Sequence, residues 1–298
     1  MRQLVFMMKF CIRSLFVLFL YCAATTNVYA QKTEFGVLAG GSYYYGDIVS
    51  SNIEPKSVGP AFGIFLRHHY NKKIAFRGNL MYCRVQGADS NLVLRSDTKW
   101  QKARNLAFYS DIIEISGIVE YNLIKDQNKG RRVKNTTVPY VFAGLGFFYF
   151  EPKAIHPISG KPINLRPLQL EGSSYLPIAL ALPLGAGVRW YLTKNWQIGF
   201  ELGMRLTSTS HLDDITGDSR YPDPATLPND NARIMSVRNS NSVNADNQMA
   251  TNFTGKPRGK IAYITDIYFI GGVTLSYRLW PKGARSFQGK AIRCPKFF

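Results

Sequence analysis

Apolar and polar residues alternate one for one along much of the chain, most clearly from 178 to 207. The even positions Ile178, Leu180, Leu182, Leu184, Ala186, Val188, Trp190 and Leu192 are all apolar. The odd positions between them are mostly small or polar and include Gly185, Gly187 and Arg189. After Thr193-Lys194-Asn195 the rule resumes, with Trp196, Ile198, Phe200, Leu202, Met204 and Leu206 set against Gln197, Gly199, Glu201, Gly203, Arg205 and Thr207. A period of two predicts a β-hairpin with one face in an apolar medium. A soluble sandwich turns its large side chains into a core and its charges into water. Large uncharged side chains on one face and glycines with ions on the other predict a membrane barrel facing lipid.

Six further stretches carry the pattern. They lie at about 34–47, 58–70, 74–86, 105–124, 138–150 and 261–280. Outward residues include Phe35, Val37, Phe62, Ile64, Leu66, Leu80, Ile113, Ile115, Val119, Leu145, Phe147, Val273 and Leu275. The connections alternate. Short ones follow the second, fourth and sixth strands, and long ones the first, third, fifth and seventh. This rhythm predicts an all-β, eight-stranded antiparallel transmembrane β-barrel with long extracellular loops, short periplasmic turns and both termini in the periplasm.

The first 30 residues read as a signal peptide, with Arg2, Lys9 and Arg13 before the apolar run Leu15–Leu20 and a small-residue site at Ala30. The expected division is a signal over 1–30, a barrel over 31–280 with a long external loop at 208–260, and a basic periplasmic tail over 281–298. Losing the signal lowers the formal charge from +18 to +15. So basic a chain seeks anionic partners, and for a barrel these are outer-membrane lipid and lipopolysaccharide rather than nucleic acid. Cys83 and Cys294 remain after the signal, which allows one disulfide but no disulfide framework.

The inward positions bring Arg67, Arg77, Glu114, Glu120, Arg189, Glu201, Arg205, Asp266 and Arg278 into the lumen. Five arginines facing four carboxylates predict an ion-paired plug, since a buried charge without a partner costs several kcal/mol. The other reading of this lumen is a small ion-conducting pore. No HExxH, CxxC or GxSxG motif occurs, no cofactor is implied, and the expectation is a non-enzymatic protein. His211 beside Asp213 and Asp214 is the one arrangement suited to activating water. Asp213, Asp214 and Asp218 are also candidate calcium ligands, although their spacing fits no standard loop. A plain hydrogen-bonded turn ordering the barrel mouth is the simpler reading. The loop at 208–260 is rich in Asn, Ser, Asp and Pro, a composition expected not to form a packed core.

The segments ARNLAFYSDIIEISGIVEYNL, VPYVFAGLGFFYFEPKA, LRPLQLEG, LPLGAGVRWYLTKNWQIGFELGMR and HLDDITGDSRY occur in the order found in PorG-like proteins. As a set they resemble this family of outer-membrane β-barrels of the Bacteroidetes type IX secretion and gliding machinery. The chain departs from the family pattern at 170–174 and around 210–216, where Leu212, Asp213 and Asp214 match and their flanks do not. The resemblance implies a non-enzymatic subunit that contacts a periplasmic ring of a lipoprotein and its partner. The basic turn with Lys125, Lys129, Arg131, Arg132 and Lys134, together with the tail, is then the expected docking surface. The alternative is a passive structural or adhesive barrel of the OmpA or OmpX kind.

Overall fold

The structure, a computed structural model, describes residues 33–48, 55–91, 105–126, 137–217, 219–236, 255, 258–259 and 265–279. The signal, the tail, Cys294, Asp218 and Lys129, Arg131, Arg132 and Lys134 of the basic turn lie outside these residues. The strands are β1 (Thr33–Tyr45), β2 (Gly59–His69), β3 (Ile74–Ala88), β4 (Ala107–Asn122), β5 (Thr137–Ile155), β6 (Pro162–Asn164), β7 (Ile178–Tyr191), β8 (Trp196–Thr207) and β9 (Ile267–Leu279). A seven-residue helix, α1 (Asp230–Ser236), lies between β8 and β9 in the chain.

The strand order is β4-β3-β2-β1-β9-β8-β7-β5, and β4 pairs with β5, so eight antiparallel strands close into a barrel. The short β6 pairs with Lys153–Ile155 at the far end of β5 and stands outside the ring. Two boundaries differ from expectation. β5 continues to Ile155 rather than ending at Phe150, because β6 supplies a partner for its extra turn of strand. β9 begins at Ile267, after Asp266 has left the ladder to bond with the loops.

Alternation survives folding strand by strand. β4 reads exposed and buried in strict turn from Ile112 to Asn122, with Ile113 and Ile115 more than half exposed. Exposed apolar side chains circle the wall, from Phe62, Leu66 and Leu80 through Leu145 and Phe147 to Phe200 and Leu202. Such a girdle would be costly in water and is what hydrocarbon requires. On β4 it runs from Tyr121 to Ile113. At ~3.3 Å per residue and the usual ~40° tilt this gives about 20 Å of height, close to the band of an outer-membrane barrel. Tyr70, Tyr121, Trp190, Trp196 and Tyr277 sit at its short-turn edge, where amphipathic rings suit the interface. There Lys73 donates to the Tyr121 hydroxyl at 2.9 Å.

The tight turns are built by side chains. Asn71 Oδ1 accepts the amides of Lys73 and Ile74, both at 2.7 Å. Thr193 Oγ1 accepts those of Asn195 and Trp196 at 3.3 and 3.1 Å. Such local bonds let two-to-four-residue reversals close hairpins. The ring is joined between its first and last strands by glycine. A Cβ on Gly40 would lie 2.0 Å from the carbonyl oxygen of Gly271, a backbone atom that cannot yield.

The interior has two storeys, so that the expected ion-paired plug occupies one half of the lumen and not all of it. Near the short turns it is ionic, around a small cluster of Ile118, Tyr140 and Phe142. Towards the long loops it is an apolar core that includes Leu38, Tyr44, Met81, Ile112, Phe148 and Phe150. That core continues into the loops through Leu165, Leu168, Leu170, Leu212, Ile215, Leu227 and Met235. The first part of the 208–260 loop therefore packs, against expectation. Its few apolar residues are widely spaced, but they meet a preformed apolar surface at the barrel mouth and need not build a core alone.

Candidate functional site

The short-turn half of the lumen is organised around two carboxylates, Glu120 on β4 and Glu34 on β1. Glu120 receives three guanidinium groups: Arg67 at 2.9 Å, Arg77 at 3.1 Å and Arg189 at 2.8 Å. Glu34 receives Arg67 at 3.0 Å and Arg278 at 2.7 Å, with His69 Nε2 at 2.9 Å. Arg77 also reaches Glu201 at 2.5 Å, and the Tyr140 hydroxyl donates to the same carboxylate at 2.9 Å. Arg189 donates to Asn122 Oδ1 as well. Asp126, in the segment after β4, takes the Tyr191 hydroxyl and lies 3.4 Å from Arg278. The groups around Glu120 and Glu201 are at most 2% exposed, so each of those charges depends on its partners instead of water. Arg67 and Arg189 also lie over aromatic faces, 4.8 Å from the Phe65 centroid and 4.4 Å from that of Tyr140.

Glu114 and Arg205 form a looser pair between the storeys. Arg205 Nε is 3.5 Å from Glu114, and its other nitrogens reach the Gly203 carbonyl at 3.0 Å and the Met81 sulfur at 3.6 Å. The Tyr268 hydroxyl donates to Glu114 at 2.7 Å.

The rim at the long-loop end is a third arrangement. The Tyr44 hydroxyl lies 2.8 Å from both Asp213 and Asp266. Asp266 accepts the Leu212 amide at 2.9 Å, and Asp213 accepts that of Ile215 at 3.0 Å. Burial first, then the nearby Asp266 and Asp47 carboxylates, push the Asp213 carboxyl well above the ordinary range. Burial pushes Asp266 up to about 7, against the hydrogen bonds from Tyr44 and Leu212 that favour its ionised form. Asp214 accepts the Tyr175 hydroxyl at 2.7 Å, and Arg258 bonds its carbonyl at 3.2 Å and reaches Glu171 at 3.3 Å. The His211 ring stacks on Tyr175 at 4.3 Å, and burial holds its imidazole below the usual value.

Of the nine charges expected in the lumen, Arg67, Arg77, Glu120, Arg189, Glu201 and Arg278 join one network through Glu34. Glu114 and Arg205 stand apart from it. Asp266 belongs to the rim, because it precedes β9 and turns to the loop amides. Glu34 was missed at the strand boundary, although its parity with Gly36 and Ser42 places it inside. Tyr44, Tyr140 and Tyr268 were missed because their aromatic rings resemble lipid-facing ones. The expected His211–Asp pairing is not formed: Asp213 and Asp214 are bonded to Tyr44 and Tyr175, while the imidazole stacks. Among the described residues no group of three His, Cys, Asp or Glu side chains that could hold a metal occurs, and Asp218, the third calcium candidate, lies outside those residues. Cys83 is buried and forms no disulfide among the described residues, which do not include Cys294. Lys125 lies in the described part of the basic turn, directly before Asp126.

A family model described as "Domain of unknown function (DUF6089)" matches residues 12–256, most of the chain up to β9. No curated protein matches by sequence. Among solved structures, Neisserial surface protein A is similar at 9% identity and a TM-score of 0.39, over 83% of this chain and 97% of that one. The outer membrane protein OprG from Pseudomonas aeruginosa is similar at 9% identity and a TM-score of 0.42, over 84% and 98%. Ail, the attachment invasion locus protein of Yersinia pestis, solved with the heparin analogue sucrose octasulfate, is similar at 10% identity and a TM-score of 0.37, over 83% and 97%.

Proposed function

This chain belongs to the DUF6089 family, and on that premise we propose that it is a non-enzymatic outer-membrane subunit of a type IX protein secretion system, contacting the periplasmic ring of a lipoprotein and its partner. The ordered run of PorG-like segments carries the reading. The folded chain is compatible with it. Buried ion pairs fill one half of the lumen and an apolar core the other, which suits an anchor whose work is done by its surfaces. The outward apolar girdle supports an outer-membrane location, with the short turns on the periplasmic side.

The basic turn containing Lys125, Lys129, Arg131, Arg132 and Lys134, and the basic tail, are the proposed docking surfaces. Reversing the charge of both should abolish co-purification with the ring proteins, and unchanged recovery refutes the docking. A deletion strain tests the function itself. Loss of secretion of proteins bearing the type IX C-terminal signal is the expected outcome. Normal secretion with an altered envelope would instead favour the second reading, a passive or adhesive barrel. The packed cap of Leu165, Leu168, Leu212, Leu227 and Met235 at the long-loop end is the observation favouring that alternative.

A further inference from the structure

The barrel wall is not level at its long-loop end. β5 and β7 stop pairing at Tyr149 against Ile178, whereas β3, β4 and β5 pair with one another beyond that row. The outward side chains change character in register across this raised wall. The row Tyr82, Ile113 and Tyr149 is aromatic and apolar. The next outward row is Arg84, Asp111 and Glu151, and the one after it Gln86, Tyr109 and Lys153. At ~3.3 Å per residue and a ~40° tilt, these two rows stand about 5 and 10 Å above the last apolar row. The first row falls within the headgroup layer, which adds roughly 5–7 Å to each side of the hydrocarbon, and the second stands just above it, with Lys153 long enough to reach down to Asp111 in the first.

Two cations in these rows share one carboxylate. Arg84 Nε is 2.7 Å from Asp111 and Lys153 Nζ is 3.3 Å from it. Their side chains remain 40% and 29% exposed. The Tyr82 hydroxyl donates to Asp111 at 2.9 Å, and the Arg84 guanidinium lies 5.0 Å from the Tyr109 centroid. Glu151 is occupied separately by the Tyr149 hydroxyl at 2.9 Å and Arg166 at 3.4 Å. With Glu151 balanced by Arg166, the group of Arg84, Lys153 and Asp111 is left with one net positive charge, held in place by Asp111 and flanked by rings, directly above the lipid-facing band.

We propose that Arg84 and Lys153, on the outer wall of β3, β4 and β5, bind the phosphate of an anionic outer-leaflet lipid. The proposal rests on the membrane placement given above and adds the lipid class and the residues that select it. Asp111 holds the two donors over one patch, Arg84 supplies a planar fork and Lys153 a point charge, and the Tyr82 and Tyr109 rings cover the stem of the headgroup.

The test uses the full chain reconstituted into vesicles of equimolar phosphatidylglycerol and phosphatidylcholine, with the lipid retained after detergent extraction quantified. The native chain should enrich phosphatidylglycerol. Arg84→Gln and Lys153→Gln should each lower that enrichment by a factor of about five, the worth of ~1 kcal/mol per basic residue at an anionic surface. Charge-keeping Arg84→Lys with Lys153→Arg should retain it, and Lys73→Gln at the opposite edge should leave it unchanged. No enrichment by the native chain, full enrichment by the doubly neutralised variant, or an equal loss in Lys73→Gln overturns the proposal. A chain that does not float with vesicles refutes the membrane placement and the proposal with it, whereas one that floats without enrichment refutes only the lipid site.

Discussion

Replacing Glu120 by glutamine removes one charge and almost no volume from the most crowded point of the lumen. Three guanidinium groups lie within 3.1 Å of this carboxylate. Their alternatives differ. Arg67 keeps Glu34 at 3.0 Å and Arg77 keeps Glu201 at 2.5 Å, but among the described residues Arg189 is left with no carboxylate, only the neutral Asn122 oxygen and the Tyr140 ring. Breaking a buried pair while leaving its partner charged costs about 3–5 kcal/mol. Glu120→Gln should fall in that range, chiefly through Arg189. Arg189→Met should cost less, because Glu120 keeps Arg67 and Arg77. Combining the two should recover part of the loss, with a coupling of about 1–3 kcal/mol. Urea unfolding of the vesicle-inserted barrel, followed by tryptophan fluorescence, gives all three free energies. A Glu120→Gln cost below about 1 kcal/mol, or no coupling, would mean that water screens the lumen and that the dry ion-paired plug is wrong.

Leu145, 68% exposed on β5, should tolerate Phe, while Leu145→Arg should cost about 2–4 kcal/mol in vesicles; a neutral Arg there contradicts the lipid-facing assignment. Both Asp213 and Asp266 have folded-state values raised above the ~3.9 of an unfolded aspartate. Their contribution to stability is thus complete below about pH 4 and is lost as pH rises through about 7, the value for Asp266. Hydrogen exchange over 211–216, corrected for intrinsic rates, should show a tighter rim at about pH 5 than at about pH 8, and equal or greater protection at the higher pH refutes this linkage. A membrane-impermeant maleimide should label Cys83, 1% exposed inside the lumen, only after unfolding.

The barrel was legible because a strand between lipid and lumen writes its two environments alternately into the chain. Ile113, Ile115 and Val119 on one side of β4 and Glu114, Ser116 and Glu120 on the other are enough to orient that strand. What parity alone leaves open is which inward groups meet. Glu114 and Glu120 share a face of one strand, yet they serve different storeys, since the partners of each arrive from β8, β2, β3 or β7 at different heights. Aromatic residues were harder to place than ions. A tyrosine faces lipid at Tyr121 and carboxylates at Tyr44; parity within each strand gives the face, since Tyr44 shares that of Glu34 and Ser42, but the tertiary fold decides which carboxylates Tyr44 meets. The packed loops were the least legible. Leu165, Leu212 and Leu227 are far apart in sequence, and their common neighbour is the mouth itself.

The join between β1 and β9, where Gly40 meets Gly271, has a kinetic consequence. It is fastened from inside at both ends, by Glu34 with Arg278 and by Tyr44 with Asp266, pairs separated by 244 and 222 residues. Contacts of such separation form after the intervening chain has been laid down, so they belong late in folding. Bonds made after the transition state act on the escape rate and leave the folding rate nearly untouched. These two fastenings therefore set how long a finished barrel lasts more than how quickly one is made.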